Sequence, residues 1–193
     1  MSFQRAIQDH FEEHSAVISA TSETLVEPIC TMAAIVLDTV RNRGTMFFCG
    51  NGGSAADAQH LAAEYVVRFE RSRPSVAAIA LTTDTSILTA GGNDLGFKSV
   101  FERQLRALAR AGDLLILHST SGESENLLRA ASTARELGVK TVAVLAKGGG
   151  SLAQEVDLAL VVPTNSTARA QEIQLTIGHI VCDLVDEAVA NSA

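Results

Sequence analysis

The segment Gly50-Asn51-Gly52-Gly53-Ser54 decides how this chain folds. It follows the short apolar run 45–49 and precedes residues 55–69, whose sequence predicts a helix. A strand, a glycine turn and a helix in that order present backbone N–H groups and the positive end of a helix dipole to an anion. A second loop of the same character, residues 119–124, follows another apolar run. We predict that the two loops hold one phosphorylated small molecule between them.

Composition excludes several classes of protein. The chain has 193 residues, which fits one domain with an added helical arm. A net charge of −7, no Lys/Arg cluster and few aromatic residues argue against nucleic acid as a partner. The N-terminus has no apolar signal stretch and no long apolar run predicts a membrane span, so we expect a cytoplasmic protein.

The three cysteines, Cys30, Cys49 and Cys182, are odd in number and scattered, which is typical of a reduced protein. Cys49 abuts the glycine loop. Two interpretations apply to it: a reactive thiol, or a small buried strand residue, and the second is favoured.

Taken in order, the chain begins with two predicted helices, 3–21 and 22–43, the second capped by Thr21 or Ser22. The second helix is apolar over much of its circumference, so it needs more than one neighbour, which an oligomer would supply. From residue 45 the pattern is strand, loop, helix. The predicted strands are 45–49, 76–81, 113–118, 140–146 and 158–162; the predicted helices are 54–69, 97–111, 124–137, 150–155 and 166–190.

These patterns predict an α/β fold, a three-layer sandwich around a five-stranded parallel sheet. Residues 1–44 would form an N-terminal helical arm for oligomerisation and residues 45–193 the domain. The strands are unbroken apolar runs, which indicates that both faces of the sheet are covered. In the flavodoxin-like order 2-1-3-4-5, strands 1 and 3 are neighbours whose crossovers leave in opposite directions. The glycine loop and the second loop would then meet at this switch point.

The second loop offers hydroxyl groups around a glycine, from Ser119, Thr120, Ser121 and Ser124. Such a loop suits a phosphate, although Ser and Thr also favour plain capping turns. Glu123 must point away from any phosphate bound here. Gly50-x-Gly52-x-x-Ala55 nearly matches a dinucleotide fingerprint, and Asp84 lies roughly where that fingerprint needs an acid. The hydroxyl-rich loop favours a monophosphate instead.

Two helices carry side chains suited to proton transfer. His60 and Glu64 are spaced i, i+4 and share one helix face, while Gln171 and His179 lie within about a quarter-turn of each other on the last helix. Together they could converge on a reacting carbon or on a divalent metal. The alternative for His60 and Glu64 alone is an ordinary surface pair.

The remaining polar candidates are less informative. His10 and His14 lie on the polar face of a predicted surface helix and are expected to be solvated. His118, at a strand end, has no assigned role. Asn93 and Asp94 follow Gly91-Gly92 in a predicted loop, where Asp94 either binds sugar hydroxyls or caps the next helix.

These residues together resemble those of bacterial phosphoheptose isomerases, in the sugar isomerase (SIS) domain class. The resemblance covers essentially the whole chain, and its motifs agree in order and spacing. They are Gly50-Asn51-Gly52-Gly53-Ser54, Asp57-Ala58-Gln59-His60 with Glu64, Asn93-Asp94, Ser119-Thr120-Ser121-Gly122-x-Ser124, and Gln171-Glu172 with His179.

The resemblance implies a function and a set of roles. The implied reaction converts sedoheptulose 7-phosphate to D-glycero-D-manno-heptose 7-phosphate, the first step toward nucleotide-activated heptose for lipopolysaccharide core or related glycans. Glu64 and His179 would be the acid/base pair, and one zinc ion per subunit would bind His60, Glu64, Gln171 and His179. A cytoplasmic homotetramer with sites at subunit interfaces is also implied. The implied substrate-binding residues are Asn51, Gly52, Gly53, Ser54, Glu64, Asn93, Asp94, Ser119, Thr120, Ser121, Ser124 and Gln171.

The chain departs from the family pattern at two positions. Ala168 stands where some members carry an aspartate, so any help that carboxylate gives to catalysis is missing or comes from elsewhere. Glu123 stands where we expect Asn or Lys, which bears on phosphate affinity.

Two further functions compete with the isomerase. One is a non-catalytic SIS protein that binds a partner, like the initiator-associating relatives, and the other is a regulatory sugar-phosphate sensor. The partner-binding protein has no need of His60, Glu64 and His179, which are all present here, and tight binding without turnover would support the sensor. As a mechanism we expect Glu64 to take the carbon-bound proton and His179 to protonate oxygen, through an enediol.

Overall fold

The computed structural model describes residues 2–191 and contains five parallel strands with helices between them. Residue 1 and residues 192–193, at the ends of the predicted arm and domain, lie outside the described part. The strands are β1 Met46–Gly50, β2 Ala78–Ala80, β3 Leu114–His118, β4 Lys140–Leu145 and β5 Leu158–Val161. The α-helices are α1 Phe3–Thr24, α2 Val26–Arg41, α3 Gly53–Val66, α4 Thr85–Asp94, α5 Val100–Leu108, α6 Glu125–Glu136 and α7 Thr167–Ala190.

The strand order is β2-β1-β3-β4-β5, which confirms the predicted topology. Every residue of β1 and β3 is buried, as their unbroken apolar sequences indicate. Gly50, the last residue of β1, lies opposite His118, the last residue of β3. The loops that follow these two strands therefore leave the sheet side by side.

Separate apolar cores cover the two faces of the sheet, as a three-layer fold requires. One core joins β1 and β3 to α2, α3 and α7, through residues such as Met32, Leu61 and Ile173. The other packs α5 and α6 on the opposite face, through residues such as Phe101 and Leu127. Since α2 contributes to the first core, it is integral to the packing. The division of arm from domain after residue 44 stays a prediction.

The junction between α1 and α2 differs from the prediction. α1 continues to Thr24, and the Thr21 and Ser22 hydroxyls donate to carbonyls of α1 itself, so neither caps α2. The two helices are bent by 71°. Pro28 explains the break, because it has no N–H to donate to the Thr24 carbonyl and its ring crowds that carbonyl. Within residues 2–191, no single helix is both long and apolar enough to cross a membrane; the bent α1–α2 pair qualifies by length and composition only.

Helix α4 was missed by the sequence analysis because Gly91-Gly92 indicated a loop. Asp84 begins this helix by accepting a hydrogen bond from the Ile87 N–H at 2.9 Å, and the helix continues through both glycines. Two other predicted helices are shorter than expected. Residues 97–111 divide into a 3-10 helix, Phe97–Ser99, and α5, and residues 150–155 contain only the 3-10 helix Ser151–Gln154.

Candidate active site

The glycine loop and the hydroxyl-rich loop are bound to each other by a pair of side-chain amides. Asn51 donates to the Asn126 carbonyl oxygen at 2.9 Å, and Asn126 donates back to Asn51 at 2.8 Å. Asn126 lies in the first turn of α6 and is buried. The pair fixes the spacing of the two loops, so the Asn51 side chain serves this contact rather than being free for a ligand. The sequence analysis missed Asn126, whose only signal was an amide in the first turn of the predicted helix 124–137.

The glycine loop brings the start of α3 against α7. Gly52 has φ +57°, a left-handed conformation that favours glycine. A Cβ on Gly53 would lie 2.5 Å from Nε2 of Gln171, so the absence of a side chain at Gly53 lets the Gln171 amide lie directly against the loop. Ser54 is buried and packs under Gly50, which places its side chain inside the turn.

Two side chains of the hydroxyl-rich loop stabilise its turn, and two others are available to a ligand. The Ser119 hydroxyl accepts from the Gly122 N–H at 3.0 Å, and that of Ser121 accepts from the Glu123 N–H at 3.3 Å, so both shape the turn. Ser124 occupies the N-cap of α6 without a side-chain capping bond. Among the residues described, the Thr120 and Ser124 hydroxyls have no hydrogen-bond partner, which leaves both able to donate to a phosphate at the start of α6.

Contacts from neighbouring elements keep this loop in place. Gln174 of α7 is fully buried, and its amide donates to the Ser119 carbonyl at 3.2 Å and to the Val144 carbonyl at 2.7 Å. Glu123 binds the Ser151 N–H at 2.7 Å and the Ser151 hydroxyl. Its negative charge is thereby engaged at the start of a 3-10 helix, as the phosphate hypothesis requires.

His60, Glu64 and His179 meet in one cleft between α3 and α7. The Nε2 atoms of the two imidazoles are 2.8 Å apart, and His60 Nε2 lies 3.5 Å from Glu64 Oε1. The imidazole rings are edge to face, with centroids 5.1 Å apart. The His60 side chain is 46% exposed and that of Glu64 is 21% exposed, so a small molecule can reach both. The predicted acid and base therefore share one site within a single chain.

Close packing of α3 on α7 makes this meeting possible. A Cβ on Gly178 would lie 2.6 Å from the buried Leu61 side chain, so glycine at this position lets the helices touch. Gly53 meets Gln171, and His60 meets His179, so the two helices run side by side in the same direction. Gln171 thus lies at the glycine-loop end of the cleft and the imidazoles lie at the other.

The donor set has the chemistry of a zinc site, but its present geometry is that of a hydrogen-bonded pair. Imidazole and carboxylate are common zinc ligands. Tetrahedral zinc with Zn–N bonds of about 2.0–2.1 Å places two nitrogens roughly 3.3 Å apart. His60 and His179 would therefore need to separate by about 0.5 Å from their 2.8 Å contact. As they stand, no group of three or more His, Cys, Asp or Glu side chains in residues 2–191 is arranged to hold a metal.

Asn93 and Asp94 occupy the last turn of α4, not a loop, so Asp94 does not cap a following helix. Both are exposed, and Asn93 donates to Asp94 at 2.7 Å. Within the described chain no hydrogen bond joins either residue to the two loops or to the acid/base cleft. Asp84, the acid of the dinucleotide interpretation, is engaged as the N-cap of α4.

The structure shows the surroundings of three further side chains considered in the sequence analysis, Cys49, His14 and His10. Cys49 is fully buried, and burial raises the pKa of its thiol far above the usual range, which supports the buried-strand interpretation over the reactive thiol. The His14 side chain is 34% exposed, and its Nδ1 also lies 2.7 Å from Glu172 Oε2, which joins α1 to α7. His10 is exposed, as expected.

His118 is fully buried, and neither ring nitrogen has a hydrogen-bond partner in the described part of the chain. Burial lowers its pKa from 6.5 to about 4, because the charged imidazolium is poorly solvated inside the protein. His118 in the folded state therefore takes up a proton only at a lower pH than it does in the unfolded state. His118 has no access to a ligand and belongs to the core.

This shift predicts acid sensitivity. Between pH 6.5 and pH 4, the free energy of unfolding should fall by about 3 kcal/mol on account of His118 alone. Urea unfolding across this range should show that the free energy of unfolding of His118→Leu depends less steeply on pH than that of the wild type. The control His10→Gln, which changes an exposed histidine, should keep the wild-type pH dependence. An unchanged slope in His118→Leu would contradict the assignment.

Comparison with known proteins identifies the family and agrees with the fold. Residues 9–146 match the family model of the SIS domain. A phosphoheptose isomerase from a Nitratiruptor species is 50% identical over 182 residues, covering 94% of this chain and 97% of that protein. The structure of phosphoheptose isomerase from Neisseria gonorrhoeae aligns with a TM-score of 0.92 at 43% identity, over 96% of this chain and 100% of that one. The Francisella tularensis phosphoheptose isomerase structure aligns with a TM-score of 0.94 at 35% identity, over 97% and 100%.

Proposed function

The chain belongs to the phosphoheptose isomerase family of SIS-domain proteins, and from this premise we propose that it converts sedoheptulose 7-phosphate to D-glycero-D-manno-heptose 7-phosphate. One observation carries the proposal: His60 contacts both His179 and Glu64, which brings the predicted acid and base to one accessible site between α3 and α7. The helix bearing Glu64 starts at the glycine loop, and that loop is bound to the hydroxyl-rich loop through Asn51 and Asn126. A binding protein without catalysis has no need of a carboxylate and an imidazole at this point.

The proposed chemistry moves hydrogen between C1 and C2 of the sugar. Glu64 removes a proton from C1 of the ketose while His179 gives a proton to the C2 oxygen, which produces the enediol. The C1 hydroxyl then loses its proton and C2 gains one, which yields the aldose. Each positioned acid or base is typically worth about 10²–10⁴ in rate.

We further propose that His60, Glu64, Gln171 and His179 hold one zinc ion per subunit. When bound, zinc would supply Lewis-acid polarisation of the substrate oxygens. The imidazole and carboxylate donors support this, and a modest separation of the two imidazoles would admit the ion. The Gln171 amide, which lies at the glycine-loop end, would have to turn toward the imidazoles to join them. A carboxylate bound to metal is a weaker base, so Glu64 would divide its capacity between the two roles. Metal analysis of the purified protein should find about one zinc per chain, and exhaustive chelation that leaves turnover intact would remove zinc from the reaction.

A direct assay tests the function. Incubation with sedoheptulose 7-phosphate, followed by NMR of the carbon skeleton, should show the aldose signal appear, with and without added zinc. Tight binding of the sugar phosphate without any turnover would support the sensor instead. Absence of both binding and turnover would favour a protein-binding SIS relative.

The free hydroxyls predict where phosphate affinity resides. Thr120→Val and Ser124→Ala should each raise KM for the sugar phosphate by about 10- to 100-fold, because a hydrogen bond to a charged group contributes about 1.5–3 kcal/mol. Steady-state kinetics measures this. Ser132→Ala, an exposed serine on α6, is the matched control and should leave KM unchanged. If Thr120→Val and Ser124→Ala had the same KM as the wild type and Ser132→Ala, the loop would not be the phosphate site.

We also propose that the chain assembles as a homotetramer in which neighbouring copies complete each site. Two separate apolar surfaces support this. The first, the arm surface, consists of Ile18 and Val26 with Ile180 and Leu184 of α7, and Val26 is 53% exposed. The second, the α4 surface, consists of Ile87, Leu95 and Phe97, and Phe97 is 59% exposed. A dihedral tetramer needs two kinds of interface, and each surface would be one. Asn93 and Asp94 adjoin the α4 surface, from which they could reach the site of a second copy.

Sedimentation measures the assembly. The wild type should sediment at four times the 20.3 kDa chain mass. Phe97→Glu and Ile180→Glu, one on each surface, should each yield dimers, because a buried unpaired charge disrupts an apolar interface. A monomeric wild type, or two variants that both remain tetrameric, would contradict the proposal. The cytoplasmic setting and the place of the reaction at the entry to nucleotide-activated heptose are likewise proposals that rest on the family.

A further inference from the structure

No motif in the sequence points to Phe69, yet its ring stacks on the imidazole of His179. The two ring centroids are 5.3 Å apart and the ring planes are inclined by 26°. His60 meets the same imidazole through Nε2 at 2.8 Å. His179 is therefore held by one aromatic face and one hydrogen bond, and Phe69 supplies the face.

The segment that carries Phe69, residues 67–75, has no helix or strand of its own and is held by side chains of other elements. Asp186 of α7 accepts hydrogen bonds from the Glu70 N–H at 3.0 Å and from the Arg71 N–H at 2.9 Å. These two amides directly follow Phe69. The backbone next to the stacking ring is thus bound to the same helix that carries His179.

Arg73 closes the segment onto α3. Its guanidinium contacts the Asp186 carboxylate and donates to the Glu64 carbonyl at 2.8 Å and to the Tyr65 carbonyl at 2.9 Å. The Arg73 and Asp186 side chains are 1% and 0% exposed, so this ion pair, the Arg73–Asp186 clamp, is a buried structural element. One pair of side chains therefore joins the end of α3, the 67–75 segment and α7.

The clamp fixes the position of Phe69 relative to His179 because Asp186 binds the backbone beside Phe69 and belongs to the helix that carries His179. Asp186 lies seven residues, about two turns, after His179 on the same face of α7. An imidazole held only by one hydrogen bond can still rotate about its terminal side-chain torsion, which is a soft one. A stacked ring on its other side removes that freedom.

We propose that Phe69, held in place by the Arg73–Asp186 clamp, is a positioning residue that sets the ring orientation of His179 for proton transfer. This inference rests on the proposed isomerase function for its kinetic consequence, but not for its structural one. Misplacement of a catalytic group by about 1 Å can cost about 100-fold in rate. The effect should therefore appear in kcat and leave KM, which the hydroxyl-rich loop governs, nearly unchanged.

The experiment compares Phe69→Leu, which removes the aromatic face at similar size, with Phe69→Tyr, which keeps it. Steady-state kinetics with sedoheptulose 7-phosphate gives kcat and KM for each full-length variant. In parallel, protein labelled with ¹³C at the histidine Cε1 gives one NMR signal per histidine, and the His179 signal is assigned by its absence in His179→Gln. A stacked phenyl ring shifts that signal upfield.

Phe69→Leu should lower kcat by about 10- to 100-fold with KM unchanged and should move the His179 signal downfield. Phe69→Tyr should restore both. A His179 signal or a kcat that stays at the wild-type value in Phe69→Leu would overturn the positioning role, as would a loss that Phe69→Tyr fails to rescue. If the wild type has no isomerase activity, the proposed function fails, while the NMR comparison still decides whether Phe69 orients His179.

Discussion

Replacing Glu64 with Gln is expected to lower kcat for sedoheptulose 7-phosphate by about 10²–10⁴-fold, because the amide cannot accept the proton from C1. The change preserves the shape of a side chain that lies 3.5 Å from His60 and is 21% exposed. Substrate affinity should change less than kcat. Exchange of the C1 hydrogen with deuterium from the solvent, followed by NMR, should fall in parallel with turnover.

Glu136→Gln is the matched control for this experiment. Glu136 is an exposed residue of α6 whose contact is a surface ion pair with Arg106, so its loss should leave kcat and stability nearly unchanged. If Glu64→Gln exchanged C1 hydrogen with solvent at the wild-type rate, Glu64 would not be the base.

The second large effect concerns stability. Asp186→Asn should lower the free energy of unfolding by about 3–5 kcal/mol, because it leaves the buried Arg73 guanidinium without its counterion. Burial alone would raise the pKa of Asp186, but hydrogen bonds from the Arg71 and Glu70 N–H groups and from Arg73 hold it below its usual value. The carboxylate thus adds stability above its unfolded pKa, and this contribution is lost as the pH falls through the lower folded value. Urea unfolding at pH 7 measures the loss.

Asp183→Asn serves as its control, on the same helix and three residues away. Asp183 pairs with Arg71, but its side chain is 42% exposed, so the same substitution should cost less than about 1 kcal/mol. The gap between the two variants should stay constant down to the unfolded pKa of Asp186 and narrow only as the pH falls below it, through the lower folded pKa. Equal destabilisation by the two substitutions at pH 7 would mean that the buried Arg73–Asp186 clamp adds no more to the free energy of unfolding than an exposed ion pair does.

Much of the fold could be predicted because the signals are local. The unbroken apolar runs of β1 and β3 indicate buried parallel strands, and the topology then brings the loops after Gly50 and His118 together. Helix α4 was not predicted because Gly91-Gly92 indicated a break, whereas the Asp84 cap and the contact of Leu88 with the core stabilise the helix despite its two glycines. The α1–α2 junction lies after Thr24 rather than at Thr21 or Ser22, because Pro28 cannot donate a hydrogen bond to the Thr24 carbonyl.

Residues of the candidate site could be predicted where a motif lies within one element, or where the strand order brings two loops together. The i, i+4 spacing places His60 beside Glu64, and the 2.2 turns of α7 place Gln171 near the face of His179. Contacts such as Asn51 with Asn126, or Phe69 with His179, join residues 75 or more positions apart and leave no periodic trace in the sequence. The same holds for Gly178, whose importance appears only once α3 packs on α7.

The most direct test of the whole account is a crystal structure of the Glu64→Gln variant with sedoheptulose 7-phosphate bound. We predict a phosphate hydrogen-bonded to Thr120 and Ser124 and, on the same molecule, C1 and C2 within reach of residue 64 and His179. A phosphate bound elsewhere, or a carbonyl end that points away from both side chains, would contradict the account.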